Sequence, residues 1–389
     1  MLFTLRLFNL ALSFTVLYPV KCMLMVKKIL PVLFLFGFLS TQAQEMAQVA
    51  DSIRKSRFVP SLAYAVMSSD SIVEMAAVGV KKLRTHDTVT VKSRYHLGNN
   101  TTGLTAYIAA QLVAKGKIMW NTKLATLFPD IMKSARPEYK DITLADILSQ
   151  RAGLISFNTV DEIRKMPALR GKDGPTQRKD FLEWITHQRG FADSEGRKPV
   201  RYTNAGSIVA AAMLEKVSGL PYKELMEEYV NKPLGISVKF RFPNRNDVKD
   251  TWGHANIAGV FQGVPPDDWW GLLITPGLEP IDANLSIQDY AKFAIDNLRG
   301  LTNKKALMPQ RAYQLLQFAY PDYAMGWGNL EVDGDHIAES DGTLTTFFVH
   351  IEVHKEKDLA IVVFCNAGNS AAKGASLNLA RELRGHYMQ

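Results

Sequence analysis

The chain has 389 residues, of which 47% are hydrophobic, and this length and composition predict an enzyme-sized body with a substantial buried core. Its formal net charge is +8, from 46 basic and 38 acidic side chains, and no block of Lys or Arg interleaved with aromatic residues occurs. The pattern therefore excludes nucleic acid as an expected partner, and the two cysteines, Cys22 and Cys365, form no disulfide framework.

The N-terminal 43 residues are predicted to be an export signal. A positive segment at Lys27 and Lys28 is followed by the apolar residues 29–39 and then by small residues up to Ala43. On this interpretation residues 1–24, which precede the signal, are an upstream extension of the gene's coding sequence. The alternative is a membrane anchor, but lysines interrupt the two apolar runs and neither reaches the ~20 residues of a membrane span. Cleavage after Ala43 leaves 42 basic and 38 acidic side chains, a net charge of +4, and predicts a periplasmic or extracellular protein. Contact with a membrane is expected only if the leader is not cleaved.

Strand patterns at both ends of the mature chain enclose a mainly helical middle. An opening helix is predicted over 52–57, and the predicted strands are 62–67, 72–80, 326–332, 343–353 and 359–364. Helical spacing of apolar residues favours helices over 181–187, 205–218, 222–230, 286–298 and 371–383. Because its strands come from distant segments, the sheet is expected to be assembled from both ends of the chain, with a helical lobe inserted.

The segment Leu97-Gly98-Asn99-Asn100-Thr101-Thr102-Gly103-Leu104 has the frame of a serine acyl-enzyme motif without its serine and lysine. In this frame a strand ends, a glycine precedes the nucleophile, and a helix start supplies N–H donors for an oxyanion. The frame resembles the Ser-x-x-Lys box of the serine β-lactamase and penicillin-binding-protein family, particularly its class C and esterase-like branch. In that register Asn99 stands at the nucleophile position and Thr102 at the lysine position. A carboxamide is not a useful nucleophile, and a threonine hydroxyl is neither a base nor a cation at neutral pH.

Two further motifs extend the resemblance over nearly the whole chain. Tyr202-Thr203-Asn204 matches the family's Tyr-x-Asn motif completely. Ser340-Asp341-Gly342 stands where a His-x-Gly or Lys-x-Gly is expected, so the basic residue is replaced by Ser340. The connecting segments that also resemble the family are 76–95, 111–118, 127–130, 142–148 and 359–366.

The resemblance implies an α+β fold in which an antiparallel sheet is flanked by N- and C-terminal helices and carries an inserted, mainly helical lobe. It implies one β-lactamase-like domain over 44–389, with an α/β lobe at about 44–98 and 297–389 and a helical lobe at about 99–296. The site is expected in the cleft between the lobes, with no cofactor and no metal. The positions that correspond to the family's catalytic motifs are Asn99, Thr102, Tyr202, Asn204, Ser340 and Gly342.

Tyr202 is the reactive group that survives in these motifs. The resemblance implies that its oxygen moves a proton between nucleophile and leaving group. A phenol of ordinary pKa ~10 acts as a base at pH 7 only beside positive charge. Here the lysine position is Thr102, and Ser340 stands between Glu339 and Asp341, so the local charge is expected to oppose ionisation of Tyr202.

Other residues allow both a functional and a structural interpretation. Asn99 is expected to cap the following helix as well as to line the cleft. Thr102 is either a polar cleft residue or a satisfied structural side chain, and Asn204 either binds a ligand amide or ties the two lobes together. Trp269 and Trp270 either form an aromatic wall over the cleft or pack in the core of a lobe.

Three further patterns carry less weight. Two literal Ser-x-x-Lys matches, at 52–55 and 370–373, lack the preceding strand and glycine, and the resemblance places them on terminal helices away from the cleft. His350, Glu352 and His354 alternate on a predicted strand, and a solvated stripe is favoured over a metal site there. The absence of a Gly-x-Ser-x-Gly elbow argues against an α/β-hydrolase.

Two functions are therefore expected from the sequence. The first is a secreted, catalytically inactive relative whose cleft binds a small-molecule or peptide-like ligand or a partner. The second is an active esterase, amidase, β-lactamase or D-alanyl peptidase with a rearranged nucleophile at Thr101, Thr102 or Ser340. Loss of the nucleophile in a serine hydrolase costs on the order of 10⁶ in turnover, so the first is favoured.

Overall fold

The structure is a computed structural model that describes residues 45–192, 198–268, 275–332 and 334–388. The predicted leader at 1–43 and the pair Trp269-Trp270 lie outside these residues, and both stay predictions. Among the helices of the described ranges, none combines the length and the apolar character that a membrane span requires.

The centre of the fold is a six-stranded antiparallel sheet built from both ends of the chain. The strands of the described residues are β1 (Ser61–Met67), β2 (Ile72–Gly79), β3 (Arg94–His96), β4 (Lys239–Phe240), β5 (His254–Ile257), β6 (Val260–Gly263), β7 (Ala283–Ser286), β8 (Gly328–Val332), β9 (Asp335–Thr343), β10 (Phe348–His354) and β11 (Leu359–Cys365). The spatial order of the large sheet is β2-β1-β11-β10-β9-β8. A three-stranded sheet, β3-β7-β4, and the hairpin β5-β6 complete the strand pairings.

Helices cover both faces of the large sheet and form the middle of the chain. They are α1 (residues 45–56), α2 (Thr101–Ala114), α3 (Leu124–Leu127), α4 (Pro129–Ser134), α5 (Leu144–Leu148), α6 (Val160–Arg164), α7 (Gly174–His187), α8 (Asn204–Ser218), α9 (Tyr222–Met226), α10 (Lys232–Leu234), α11 (Pro243–Asn246), α12 (Ile287–Leu301), α13 (Gln310–Phe318) and α14 (Ser370–Tyr387). A π-helical turn, Glu227–Asn231, joins α9 to α10.

The central strands β1 and β11 are buried along their whole length because both faces of the sheet are covered. Alternate residues of a strand point to opposite faces. Leu62 and Tyr64 therefore pack with α1 and the terminal helix α14, whereas Ala63 and Ala65 pack with α2, α12 and the helical middle. This architecture confirms the predicted α+β fold with an inserted helical region.

Most strand predictions agree with the structure, and one was wrong in its extent. The strands predicted at 62–67 and 359–364 are confirmed as β1 and β11. The strand predicted over 343–353 is interrupted, because β9 ends at its first residue and β10 begins only at Phe348. Between the two strands Thr345 has a φ of 57°, a left-handed conformation that a continuous strand does not contain.

The side chains of His350, Glu352 and His354 are buried, so the predicted solvated stripe was wrong. The terminal helix covers this face of β10, and the residues form a continuous ionic cluster. His350 Nε2 lies 2.7 Å from Glu352 Oε1, and His350 Nδ1 lies 2.7 Å from Asp341 Oδ1. His354 Nε2 lies 3.0 Å from Glu352 Oε2, and Arg384 of α14 also binds Glu352. Within the described residues no group of three or more His, Cys, Asp or Glu side chains is arranged to hold a metal.

The pKa of His350 reflects this cluster. Burial lowers the pKa, but the bonds to Asp341 and Glu352 outweigh burial and raise it from 6.5 to about 9. The folded chain therefore binds the His350 proton more tightly than the unfolded chain does. The resulting stabilisation is fully present below pH 6.5 and is lost as the pH rises through about 9.

Replacement of the cluster's central imidazole should remove this pH dependence. From pH 6.5 to about pH 9.5, the wild-type free energy of unfolding should fall by about 3 kcal/mol more than that of His350→Gln. Urea unfolding at both pH values measures the difference. The exposed His187→Gln serves as the control and should behave as wild type. An equal fall in wild type and His350→Gln would contradict the assignment.

Candidate functional site

The first and third motif positions meet backbone against backbone. Strand β3 is followed by a short helical turn, Gly98–Asn100, and then by α2. Gly98 has a φ of +55°, and a Cβ on it would lie 2.3 Å from the carbonyl carbon of Thr343. A Cβ on Gly342 would lie 2.3 Å from the Leu97 oxygen and 2.5 Å from the Asn100 Cβ. Both positions require glycine because any side chain would separate the turn from β9.

A buried His-Asp pair, His96 and Asp282, binds the backbone of the Gly98–Asn100 turn. The Gly98 N–H donates to His96 Nδ1 at 3.0 Å, so the ring proton is on Nε2, which lies 2.9 Å from Asp282 Oδ1. Asp282 Oδ2 also accepts the Arg241 N–H at 2.9 Å. Phe242 stacks on the imidazole with ring centroids 4.4 Å apart. Sequence patterns did not assign His96 a role, although a histidine directly before the motif frame was a usable signal.

The Asn99 side chain contacts the end of strand β9. Its Oδ1 accepts the backbone N–H of Thr343 at 2.7 Å. A hydrolase that forms an acyl-enzyme needs N–H donors that are free to bind the oxygen of the substrate carbonyl. The donor that β9 directs at the nucleophile position is therefore already bound within the chain. The expected helix cap was wrong, because Asn100 is the residue at the α2 N-cap and it forms no side-chain cap bond.

Thr102 is a buried member of a hydroxyl network. Its side chain is 1% exposed, and its Oγ1 lies 2.6 Å from Ser207 Oγ and 3.3 Å from the Tyr202 hydroxyl. Thr102 carries a hydroxyl where the family motif has an amine, so this position has no side chain that acts as a base at neutral pH. Ser207, in the helix that follows the second motif, was not identified from the sequence.

Tyr202 is held by neutral partners. Its hydroxyl donates to Asn204 Oδ1 at 3.0 Å and lies 3.4 Å from the Asn99 carbonyl oxygen. Burial raises the pKa of Tyr202 to about 12, although bonds to Thr102 and Asn99 oppose the increase. The unfavourable ionisation was expected, but its expected cause was wrong. The charge of Asp341 is directed at His350, and burial is what raises the Tyr202 pKa.

A second tyrosine, which sequence patterns did not indicate, packs on the site. The Tyr323 ring meets Tyr202 edge to face, with centroids 6.3 Å apart at 73°. Arg151 holds this loop, since its Nη1 donates to the Tyr323 carbonyl at 2.8 Å and its Nη2 binds Asp322 Oδ1 at 2.5 Å. Its guanidinium also lies 4.0 Å from the Tyr320 ring centroid. Arg151 thus fixes the loop that carries the Tyr323 ring next to Tyr202.

Asn204 begins α8 and belongs to the wall on the helical side. Its backbone N–H donates to Asn158 Oδ1 at 2.9 Å, and Asn158 Nδ2 donates to the Tyr202 carbonyl at 2.9 Å. These contacts fix the Tyr202 turn. The Asn204 side chain accepts from Tyr202 and its backbone donates to Asn158, and among the described residues no side-chain bond joins Asn204 to the large sheet.

The candidate rearranged nucleophiles lack a general base. Thr101 Oγ1 is buried and donates to the Gly98 carbonyl at 2.6 Å. Ser340 is half-buried on β9, and its carbonyl accepts the Asn100 Nδ2 at 3.3 Å. In the part of the chain that the structure describes, neither hydroxyl, nor that of Thr102, has a His, Lys or carboxylate hydrogen-bond partner. Activation of a hydroxyl needs such a partner.

One literal Ser-x-x-Lys match lies nearer to the motifs than expected. Lys373, in the first turn of α14, binds Asp341 Oδ2 at 2.8 Å. Asp341 alternates along β9 with Ser340 and Gly342, so it projects to the opposite face of the sheet. The lysine therefore neutralises an acid of the ionic cluster and does not face Asn99. The other match, at 52–55, lies in α1, where Lys55 pairs with Asp51 at 2.7 Å.

Comparison with known proteins identifies the family of this chain. The family model described as Beta-lactamase matches residues 46–385. The chain belongs to the β-lactamase family. The fold of a class C β-lactamase from Rhodobacter sphaeroides is similar, with a TM-score of 0.68 and 16% identity, over 87% of this chain and 99% of that one.

Two relatives whose names describe a function are similar to this chain at 22–23% sequence identity. Penicillin-binding protein 4 of Amycolatopsis lactamdurans is 22% identical over 86% of this chain and 87% of its own length. The unguisins hydrolase of Aspergillus campestris is 23% identical over 84% of this chain. The chain spans 62% of the length of that hydrolase.

The close approach of the two motifs predicts a strong stability difference between two Gly→Ala changes. Gly342→Ala should cost several kcal/mol, on the order of 3 or more, because backbone atoms cannot retreat from the new methyl group. Gly103→Ala, in the adjacent helix, should be neutral or stabilising by up to about 1 kcal/mol, because the nearest described atom that the new Cβ would meet outside the helix is Trp327 Nε1, at 4.0 Å. Urea unfolding measures both values. Equal stability of the two variants would contradict the backbone contact.

Proposed function

We propose that this protein is a β-lactamase-family member that forms no acyl-enzyme and binds a small-molecule or peptide-like ligand in its cleft. The carrying observation is the 2.7 Å bond from the Thr343 N–H to Asn99 Oδ1. The bond engages a donor that a substrate oxygen would need, and the motif resemblance puts Asn99, an amide, at the nucleophile position. The predicted leader supports action outside the cytoplasm.

The chemical argument combines three losses. Asn99 is no nucleophile, Thr102 is no base, and Tyr202 stays protonated at neutral pH because burial raises its pKa to about 12. Removal of triad members in a serine hydrolase leaves only about 10³–10⁴ over the uncatalysed reaction, from binding and oxyanion stabilisation. Since the Thr343 donor is engaged here, even that remainder should be reduced.

The remaining groups are suited to recognition. Around Tyr202 the polar atoms are hydroxyls and carboxamides, with the Tyr323 ring beside them. Amides and hydroxyls both donate and accept hydrogen bonds, and an aromatic ring adds an apolar contact surface. A ligand rich in amide or hydroxyl groups is complementary to such a wall. The names of the relatives support a peptide-like ligand, since one is a penicillin-binding protein.

The first functional prediction is that the purified protein forms no covalent adduct with a fluorescent penicillin or a fluorophosphonate. The reason is the absence of an activated hydroxyl, and intact-mass measurement after incubation is the test. A penicillin-reactive serine β-lactamase is the positive control. An adduct mapped to Thr101, Thr102 or Ser340 would establish the rearranged hydrolase instead.

The second functional prediction is that combined restoration creates acylation. Asn99→Ser frees the Thr343 N–H and supplies a hydroxyl, Thr102→Lys supplies a base, and Ser340→His restores a basic group. The lysine should also lower the Tyr202 pKa, because an adjacent cation stabilises the phenolate. The triple variant should be acylated by an ester or β-lactam probe, whereas Asn99→Ser alone should remain near background, since residues that act as a unit are non-additive.

The matched control replaces the lysine by a side chain of similar length without its charge. A triple variant with Asn99→Ser, Thr102→Met and Ser340→His should not be acylated. If the lysine-containing variant folds and is equally unreactive, the cleft does not retain the family geometry, and the proposed ligand site would have to lie on another surface.

A further inference from the structure

The Asn99 side chain is a primary amide that the chain itself binds at both ends. Its Oδ1 accepts the Thr343 N–H at 2.7 Å. Burial raises the pKa of Tyr202 to about 12, and a hydrogen bond from the Asn99 side chain opposes this rise. A carboxamide stabilises a phenolate only through its NH₂ group, so Nδ2 is directed at the Tyr202 hydroxyl. The carboxamide therefore spans the space between the end of β9 and Tyr202.

The backbone that carries this carboxamide is held on both sides. A Cβ on Gly98 would lie 2.3 Å from the Thr343 carbonyl carbon, and a Cβ on Gly342 would lie 2.5 Å from the Asn100 Cβ. On the helical side, the Tyr202 hydroxyl lies 3.4 Å from the Asn99 carbonyl oxygen. The turn is thus in contact with β9 and with Tyr202, and its side chain has a fixed place between them.

The groups beside the carboxamide are accessible to a ligand. The side chains of Tyr202 and Tyr323 are half-buried, and their rings meet edge to face. Asn204 Oδ1 accepts the Tyr202 hydroxyl at 3.0 Å, and within the described residues no hydrogen bond is formed by Asn204 Nδ2. A ligand can therefore use the exposed parts of both rings and the Asn204 amide without displacing Asn99.

We propose that Asn99 is an internal amide ligand that determines the specificity of the cleft. Its carboxamide fills the position at which a hydrolase holds the reacting carbonyl of a substrate, and it satisfies the Thr343 donor there. An external ligand then binds beside it, along Tyr202, Tyr323 and Asn204, with its own carbonyl groups excluded from Thr343. This inference rests on the proposed function, because only a site that does not acylate its ligand can dispense with that donor.

Removal of the side chain should leave a space that a small primary amide fills. Acetamide has the size and chemistry of the whole asparagine side chain, so it should bind Asn99→Gly. In this variant the Thr343 amide should exchange hydrogen rapidly, and saturating acetamide should slow the exchange by at least about fivefold. Acetone, which has a methyl group in place of the NH₂, should bind at least about threefold more weakly because it cannot donate towards Tyr202.

A second variant keeps the test independent of the glycine substitution. Asn99→Ala retains the Cβ, so the remaining space is that of the carboxamide alone. Formamide should therefore protect Thr343 better than acetamide does in Asn99→Ala, whereas acetamide should be the better ligand of Asn99→Gly. The exchange rate of the Ile361 amide in β11 should be the same in all samples and reports an intact fold.

Asn99→Asp is the matched control, since it keeps an acceptor oxygen and leaves no space. Its Thr343 amide, like that of the wild type, should be protected without added amide and should not respond to acetamide. No protection by acetamide or formamide in the folded Gly and Ala variants, equal protection by acetone, or an acetamide effect in the wild type would overturn the inference. A covalent penicillin adduct on the wild type would overturn the proposed function instead, so the two failures are distinguishable.

Discussion

The site depends on the contact between the Gly98 turn and the end of β9. Two glycines let the two backbones approach, since a Cβ on either would lie 2.3 Å from the opposing chain. This approach brings the Thr343 N–H within 2.7 Å of the Asn99 carboxamide. In a hydrolase with an oxyanion hole, a backbone N–H donor of this kind is free to bind a substrate oxygen. Here the close approach lets the chain satisfy its own donor.

The polar groups around Asn99 are likewise hydrogen-bonded to one another. The Thr102 hydroxyl lies 2.6 Å from that of Ser207 and 3.3 Å from that of Tyr202, and Asn204 Oδ1 accepts a hydrogen bond from the Tyr202 hydroxyl at 3.0 Å. Buried polar groups are stable when they are hydrogen-bonded, and catalytic groups are often less well satisfied before substrate binds. In this network the hydroxyls of Thr102, Ser207 and Tyr202 are bound by neutral groups of the chain itself. The charged groups that bind Asp341, namely His350 and Lys373, lie on the face of the sheet opposite to Ser340 and Gly342.

Much of this organisation could be predicted from residue order. The apolar runs that become β1 and β11 predicted the central strands, and the resemblance carried by the Gly98, Tyr202 and Gly342 segments implied the fold that the structure shows. Such patterns report which face of an element is buried and where a backbone must be compact.

The directions of individual polar side chains could not be predicted, because partners distant in sequence decide them. Asn99 was expected to cap its helix, but Thr343, 244 residues later in the chain, binds it instead. His350 and Glu352 alternate as a solvated strand would, yet α14 buries them and Arg384 compensates the charge. Tyr323 is placed by Arg151, and no local pattern connects those two residues.

Hydrogen exchange at the Thr343 amide tests the central claim most directly. The account predicts that this amide is protected in the wild-type protein and exchanges at least about tenfold faster in Asn99→Ala, because its acceptor has been removed. The amide of Ile361 in the central strand β11 should keep its rate in the same sample and thereby report an intact fold. An unchanged Thr343 exchange rate in a folded Asn99→Ala protein would contradict the claim that the Asn99 side chain occupies this donor.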